Sequence, residues 1–163
     1  MKHLISAVFV MCVMAMAGGV VFAASNDTIT VNYEVQAINE LNIDDASVTL
    51  TVDSATAGSD PTQATDSTTY DVTTNAGDNA KKITAAINTA MPSGLTLKIN
   101  MTAPTGASSA GAVTLSATAV DAVTLIDSVS EANIAAAFTL DATLAAGVVA
   151  SASKTCTLTL ADS

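Results

Sequence analysis

Leu95-Thr96-Leu97-Lys98-Ile99-Asn100-Met101 changes from apolar to polar at every step. In an extended chain, successive side chains point to opposite faces. One face therefore collects Leu95, Leu97, Ile99 and Met101, and the other Thr96, Lys98 and Asn100. The same period of two recurs outward from this stretch. Upstream, Val48, Leu50 and Val52 alternate with Thr49 and Thr51, and Ile29, Val31, Tyr33 and Val35 alternate with Thr28, Thr30, Asn32 and Glu34. Downstream, Cys156, Leu158 and Leu160 stand opposite Thr155, Thr157 and Thr159. Alternation carried by β-branched residues predicts half-buried antiparallel strands.

Further strands are expected over 68–74, 112–116, 120–126 and 136–144. Turn chemistry separates them: Gly58-Ser59-Asp60-Pro61, Asn75-Ala76-Gly77-Asp78, Pro92-Ser93-Gly94 and Pro104-Thr105-Gly106. Residues 79–90 admit two readings. Ile83 and Ile87 four apart, with Pro92 beyond, would suit a short helix. Ile83, Ala85 and Ile87 alternating with Thr84 and Ala86 suit a strand, and the β context favours the strand. Ser128 to Glu131 has the spacing to cap one helical turn. The expected fold is all-β: an antiparallel immunoglobulin-like or fimbrial-like β-sandwich of about 8–9 strands.

The N-terminus opens with Met1-Lys2-His3, continues with an apolar run from Leu4 to Met16, and leaves through Gly18-Gly19-Val20-Val21-Phe22-Ala23. A positive start, an apolar stretch and a small-residue exit predict a secretory signal over 1–23, cleaved after Ala23. Residues 24–163 would then form one sandwich domain in an exported protein: secreted, periplasmic or at the cell surface. Membrane contact is expected only through the signal, before cleavage. The formal net charge is −10 at pH 7, and loss of Lys2 makes it one unit more negative. Such a charge repels nucleic acid and anionic lipid, so neither is expected as a partner. Frequent, in-phase Val, Ile and Leu argue against disorder.

Processing also removes Cys12 and His3, the chain's single histidine, and the sequence has no Arg and no Trp. Without His there is no Ser-His-Asp or Cys-His system and no imidazole for zinc. Without Arg there is no planar clamp for phosphate or carboxylate. The eight glycines are scattered at turns and build no phosphate loop. A carboxylate pair for glycoside hydrolysis would want an aromatic cleft, and beyond the signal only Tyr33, Tyr70 and Phe138 are aromatic. The same shortage argues against a sugar-binding platform and against the aromatic girdles of an outer-membrane barrel. A non-enzymatic role is expected. Cys156, in phase with two leucines, reads as a small apolar residue rather than a reactive thiol.

No cofactor is required by this composition. Calcium is the one cation with candidate oxygen ligands, in two acidic clusters: Asp44-Asp45 in a turn, and Asp53, Asp60 and Asp66 flanking Gly58 and Pro61. They do not follow the Asp-x-Asp-x-Asp spacing, and a solvated acidic loop is the simpler reading. Exposed threonines are ordinary strand chemistry and lack the regular repeat of an ice-binding face. Lys98 and Lys154 fall out of phase with their apolar neighbours, which places them toward solvent and away from a buried crosslink.

The first alternating run, Thr28 to Ile38, follows the expected cleavage site directly. Within one chain it would be a strand of the sandwich. Between chains, Ile29, Val31, Tyr33 and Val35 could act as knobs of a strand added to a neighbour's sheet. A short exported chain that begins with such a Thr/Val strand, continues Thr- and Ala-rich and ends in Thr157-Leu158-Thr159-Leu160 resembles bacterial fimbrial-type subunits such as the spore coat U-like group. It departs from the group's pattern in having no paired cysteines near its first strands. The resemblance implies a structural subunit of a surface appendage, fibre or extracellular matrix, which associates with itself or with other surface proteins. The alternative is a monomeric secreted binding or adhesion module, with calcium in its loops.

Overall fold

The computed structural model of the protein describes residues 25–77 and 81–163. The expected signal segment, 1–23, lies outside them. The chain divides into two units, Met1–Glu34 and Val35–Ser163. In the first, residues 25–34 form neither strand nor helix, and every one is exposed. All the described strands lie in the second unit.

Nine strands run through the described residues: β1 (Asn39–Ile43), β2 (Ala64–Thr74), β3 (Lys81–Ile87), β4 (Leu95–Met101), β5 (Ser108–Ser109), β6 (Ala112–Thr114), β7 (Val120–Ile126), β8 (Val129–Ala142) and β9 (Cys156–Asp162). They make two antiparallel sheets, in the orders β1-β2-β8-β4-β6 and β5-β7-β3-β9. Alternation now becomes packing. Tyr70 and Val72 of β2, Ile83 and Ile87 of β3, Leu97 and Ile99 of β4, Val123 of β7 and Phe138 of β8 share one buried core. The polar partners in each run face outward.

The ambiguous segment is a strand where it is described. Ile83, Ala85 and Ile87 are buried, Thr84 and Ala86 half-buried, and β3 pairs on both sides, with β7 and with β9. Ser128 to Glu131 corrects the expectation of a helical turn, because β8 already starts at Val129. Its long partner β2 supplies a ladder from Thr74↔Val129 to Ala64↔Leu140, and a continuous ladder outweighs a local cap. The register slips near Asn133, which sits at φ 57°. Asn tolerates that left-handed conformation, and its N–H donates to Asp71 Oδ1 at 2.8 Å.

Two other expected strands are absent. Thr28–Ile38 and Val48–Val52 belong to no ladder, and β1 starts only at Asn39. Their alternation supplies strand propensity, but a strand also needs a ladder partner, and among the described residues neither segment has one. At the opposite end, β8 gives way to a single 3-10 turn, Leu144–Ala146, closed by Gly147 at φ 63°.

Candidate functional site

Exposed sheet edges are what sandwich proteins must manage, because unpaired N–H and C=O groups template pairing with another chain. The two sheets end in β1, β6, β5 and β9. β5 and β6 are two and three residues long, and such short edges offer little. β1 has five residues, with Asn39, Glu40 and Asn42 among them. β9 is different. It has seven residues, contains neither Pro nor Lys, and among the described residues pairs on one side only, with β3 from Ile87↔Cys156 to Lys81↔Asp162.

Beside β9 lies an open cleft of about 460 Å³. Its lining includes Cys156 and Leu158 of β9, Val48 and Leu50, the core residues Tyr70 and Phe138, and the charged Asp45 and Lys154. These side chains converge because Cys156, Leu158, Val48 and Leu50 are all half-buried against the same core, while Thr157, Thr159, Thr49 and Thr51 are exposed. A second cleft of about 800 Å³ adjoins the first and shares Leu50, Met91 and Lys154 with it. At this end Lys154 Nζ donates to Thr89 Oγ1 at 2.6 Å and to the Ala90 carbonyl at 2.9 Å.

The core side of the lining is chemically quiet. Tyr70 is fully buried and donates its hydroxyl to the Thr102 carbonyl at 2.6 Å. Burial, with a smaller contribution from the Glu131 charge, holds that hydroxyl well above its ordinary value of 10.0. Burial likewise raises the Cys156 thiol above its ordinary 9.0. Both groups are neutral at physiological pH, and a protonated thiol is a poor nucleophile. The cleft offers shape, apolar surface and an unpaired strand edge.

The predicted knobs stand out in the open: Ile29 is 88% exposed, Val31 71%, Tyr33 92% and Val35 80%. Just past Val35, the chain is moored to the second unit by Asn75. Its Nδ2 donates to the Gln36 carbonyl at 2.8 Å, its Oδ1 accepts from the Ile38 N–H at 2.7 Å, and its own N–H donates to the Ile38 carbonyl at 3.2 Å.

Two of the five candidate calcium ligands, Asp44 and Asp66, are hydrogen-bonded within the chain. Asp66 accepts N–H groups from Thr49 at 2.7 Å and Ser67 at 2.9 Å, which hold its carboxyl below the ordinary value. Asp44 accepts from the Thr69 hydroxyl. Among the described residues no group of three or more His, Cys, Asp or Glu is placed to hold a metal ion. Nor is any described helix long and apolar enough to cross a membrane. Lys98 pairs with Asp141 at 2.9 Å, partly exposed.

Sequence reasoning picked out the alternating segment 28–35 but missed the cleft. The available signal was the break Asp44-Asp45-Ala46-Ser47, which interrupts the alternation before Val48 and ends the ladder of β1 with β2. Neither a protein-family model nor a curated protein sequence matches the chain.

Proposed function

We propose that this protein is a non-enzymatic, exported structural subunit of a surface appendage, fibre or matrix, and that it assembles by strand addition. The observation that carries the reading is a pair of unmatched features. Ile29, Val31, Tyr33 and Val35 form an exposed alternating arm, and β9 offers an unblunted edge beside an apolar cleft. The occupant we assign to that cleft is the Thr28–Val35 segment of a second copy. Eight residues match a seven-residue edge in length. Main-chain bonds to β9 would supply affinity, and alternate side chains in the cleft specificity.

The sheet orders support an immunoglobulin-like reading of the sandwich. β1-β2-β8-β4 corresponds to strands A-B-E-D of that scheme, and β3-β9 to C-F. Its next strand, G, would lie beyond β9, and among the described residues nothing pairs there. An incomplete sandwich is the kind of partner an exposed arm requires.

Burying four large apolar side chains is worth roughly 6–12 kcal/mol gross, at about 1.5–3 kcal/mol each. Association and ordering of the arm take back a comparable share. The test is to purify residues 24–163 without denaturant, then combine light scattering with negative-stain microscopy. Filaments, or an oligomer ladder surviving cold SDS, are expected. A monomer that also fails to bind a synthetic Thr28–Ile38 peptide would overturn the reading.

A further inference from the structure

Residues 46–52 hold the pattern of a strand without the bonds of one. Val48, Leu50 and Val52 are half-buried, while Ser47, Thr49 and Thr51 are exposed. Among the described residues, the backbone of 46–53 makes no hydrogen bond to other backbone groups. The segment is tied down at its ends. Upstream, the Asp44 N–H donates to the Thr69 carbonyl at 3.0 Å and the Asp45 N–H to Thr68 Oγ1 at 3.1 Å. Downstream, the Ser54 carbonyl accepts from the Thr62 N–H at 2.8 Å. Between them the Thr49 N–H rests on Asp66 Oδ2, a side chain of β2.

Two stretches of main chain without a ladder partner on this side therefore line one cleft: Ala46 to Leu50, and Cys156 to Leu158 of β9. Each lacks what the other offers. We infer that 46–52 is a strap that closes the cleft by pairing with β9 within a monomer, covering the edge until an incoming arm displaces it. The inference rests on the assembly reading above and adds its regulation: strap and arm compete for one edge. Closure keeps Val48 and Leu50 turned toward the core and leaves the threonines in solvent. It requires the Thr49 N–H to leave Asp66, one exchange of hydrogen bonds, while the moorings at 44–45 and 54 stay in place. A competitor of this kind would keep subunits single before assembly, since an uncovered edge pairs with whatever strand it meets.

Cys156 provides the test, because it lines the same cleft as Val48 and Leu50. Val48→Cys and Leu50→Cys each place a thiol on the inward face of the strap, and Thr49→Cys places one on its outward face as a control. Mild treatment with oxidised glutathione joins two protein thiols into one disulfide. The thiols lose two protons and two electrons, and the oxidant is released as two molecules of glutathione. A disulfide forms only if closure brings the two Cα atoms within about 7 Å. The expected result is an intramolecular disulfide in monomeric V48C or L50C, with both thiols lost, and little in T49C. The locked protein should bind a fluorescent Thr28–Ile38 peptide at least about tenfold more weakly than its reduced form, because the competent state is no longer populated. Reduction should restore binding.

The strap is refuted if V48C and L50C fold yet crosslink no faster than T49C, or if the locked form binds the peptide as well as the reduced one. If the lock forms but reduced protein neither binds peptide nor assembles, closure stands and the assembly reading falls.

Discussion

Val31→Asp separates the arm's role in the monomer from its role between copies. Val31 is 71% exposed, so the substitution removes almost no packing from the folded chain. An exposed change of this kind moves stability by about 0.5 kcal/mol or less. In the assembled state the same position would face the cleft lined by Tyr70 and Phe138. There the change forfeits about 1.5 kcal/mol of valine burial and sets a carboxylate against apolar surface, the one lysine of the lining, Lys154, being already bonded to Thr89 and Ala90, a further penalty of several kcal/mol.

The sum is at least about 4 kcal/mol, or roughly a thousandfold in the association constant at 1.4 kcal/mol per tenfold. Light scattering and thermal melting of the same sample measure the two quantities together. The expected outcome is a monomer with an unchanged melting temperature. Thr30→Asp, one residue away on the opposite face, should assemble close to normally. The argument is refuted if V31D assembles like the parent protein. It is also refuted if V31D melts far lower, since Val31 would then belong to the fold of its own chain.

Other expectations concern the scaffold. Tyr70→Phe leaves the Thr102 carbonyl without its buried partner and should cost about 1–3 kcal/mol in urea unfolding. Gly94→Ala should be worse than its single methyl suggests, because Gly94 sits at φ 81° and a Cβ there would lie 2.5 Å from the Ala146 amide nitrogen; a loss of about 2 kcal/mol or more is expected from left-handed strain plus the clash. Alkali should weaken the fold. Cys156 and Tyr70 both have folded values raised above 9.0 and 10.0, so their contribution is complete below about pH 9 and lost as pH climbs through the folded values. Urea midpoints between pH 7 and 11 should fall, and Cys156→Ser should delay the onset. Asp66 works with the opposite sign: its lowered value gives a contribution present above the ordinary 3.8 that disappears as pH falls through the folded value, and Asp66→Ala should flatten the acid limb.

The sheets were legible because their signal is local. Ile83, Ala85 and Ile87 alternate in the sequence and are buried in the structure, and Leu97, Ile99 and Met101 do the same. A two-residue period needs no knowledge of the partner strand. Pairing does need it, which is why Thr28–Ile38 and Val48–Val52 carry the pattern yet join no ladder. The helical turn expected at Ser128–Glu131 failed for the same reason, since the cap spacing is local and the competing ladder to Thr73 and Val72 lies more than fifty residues upstream. The cleft left only an indirect trace in the sequence, the break in alternation at Asp44-Asp45-Ala46-Ser47, because a missing neighbour strand supplies no residues of its own.

The two failed strands are the informative ones. A globular chain whose alternating segments are all paired has nothing left to offer another copy. Here one unpaired segment is exposed on four large apolar residues, and the other borders a strand edge with no proline or lysine to block it. Selection for a solitary soluble domain would act against both, since a single lysine on the outer face of β9 would blunt the edge. Thr157→Lys and Thr159→Lys provide that change without touching the core, because both threonines are exposed. Each should leave melting unchanged within about 0.5 kcal/mol, and the pair should shift oligomers toward monomer. Undiminished assembly by the double variant would mean that β9 is not the edge in use, and would direct attention to β1, the other edge of appreciable length.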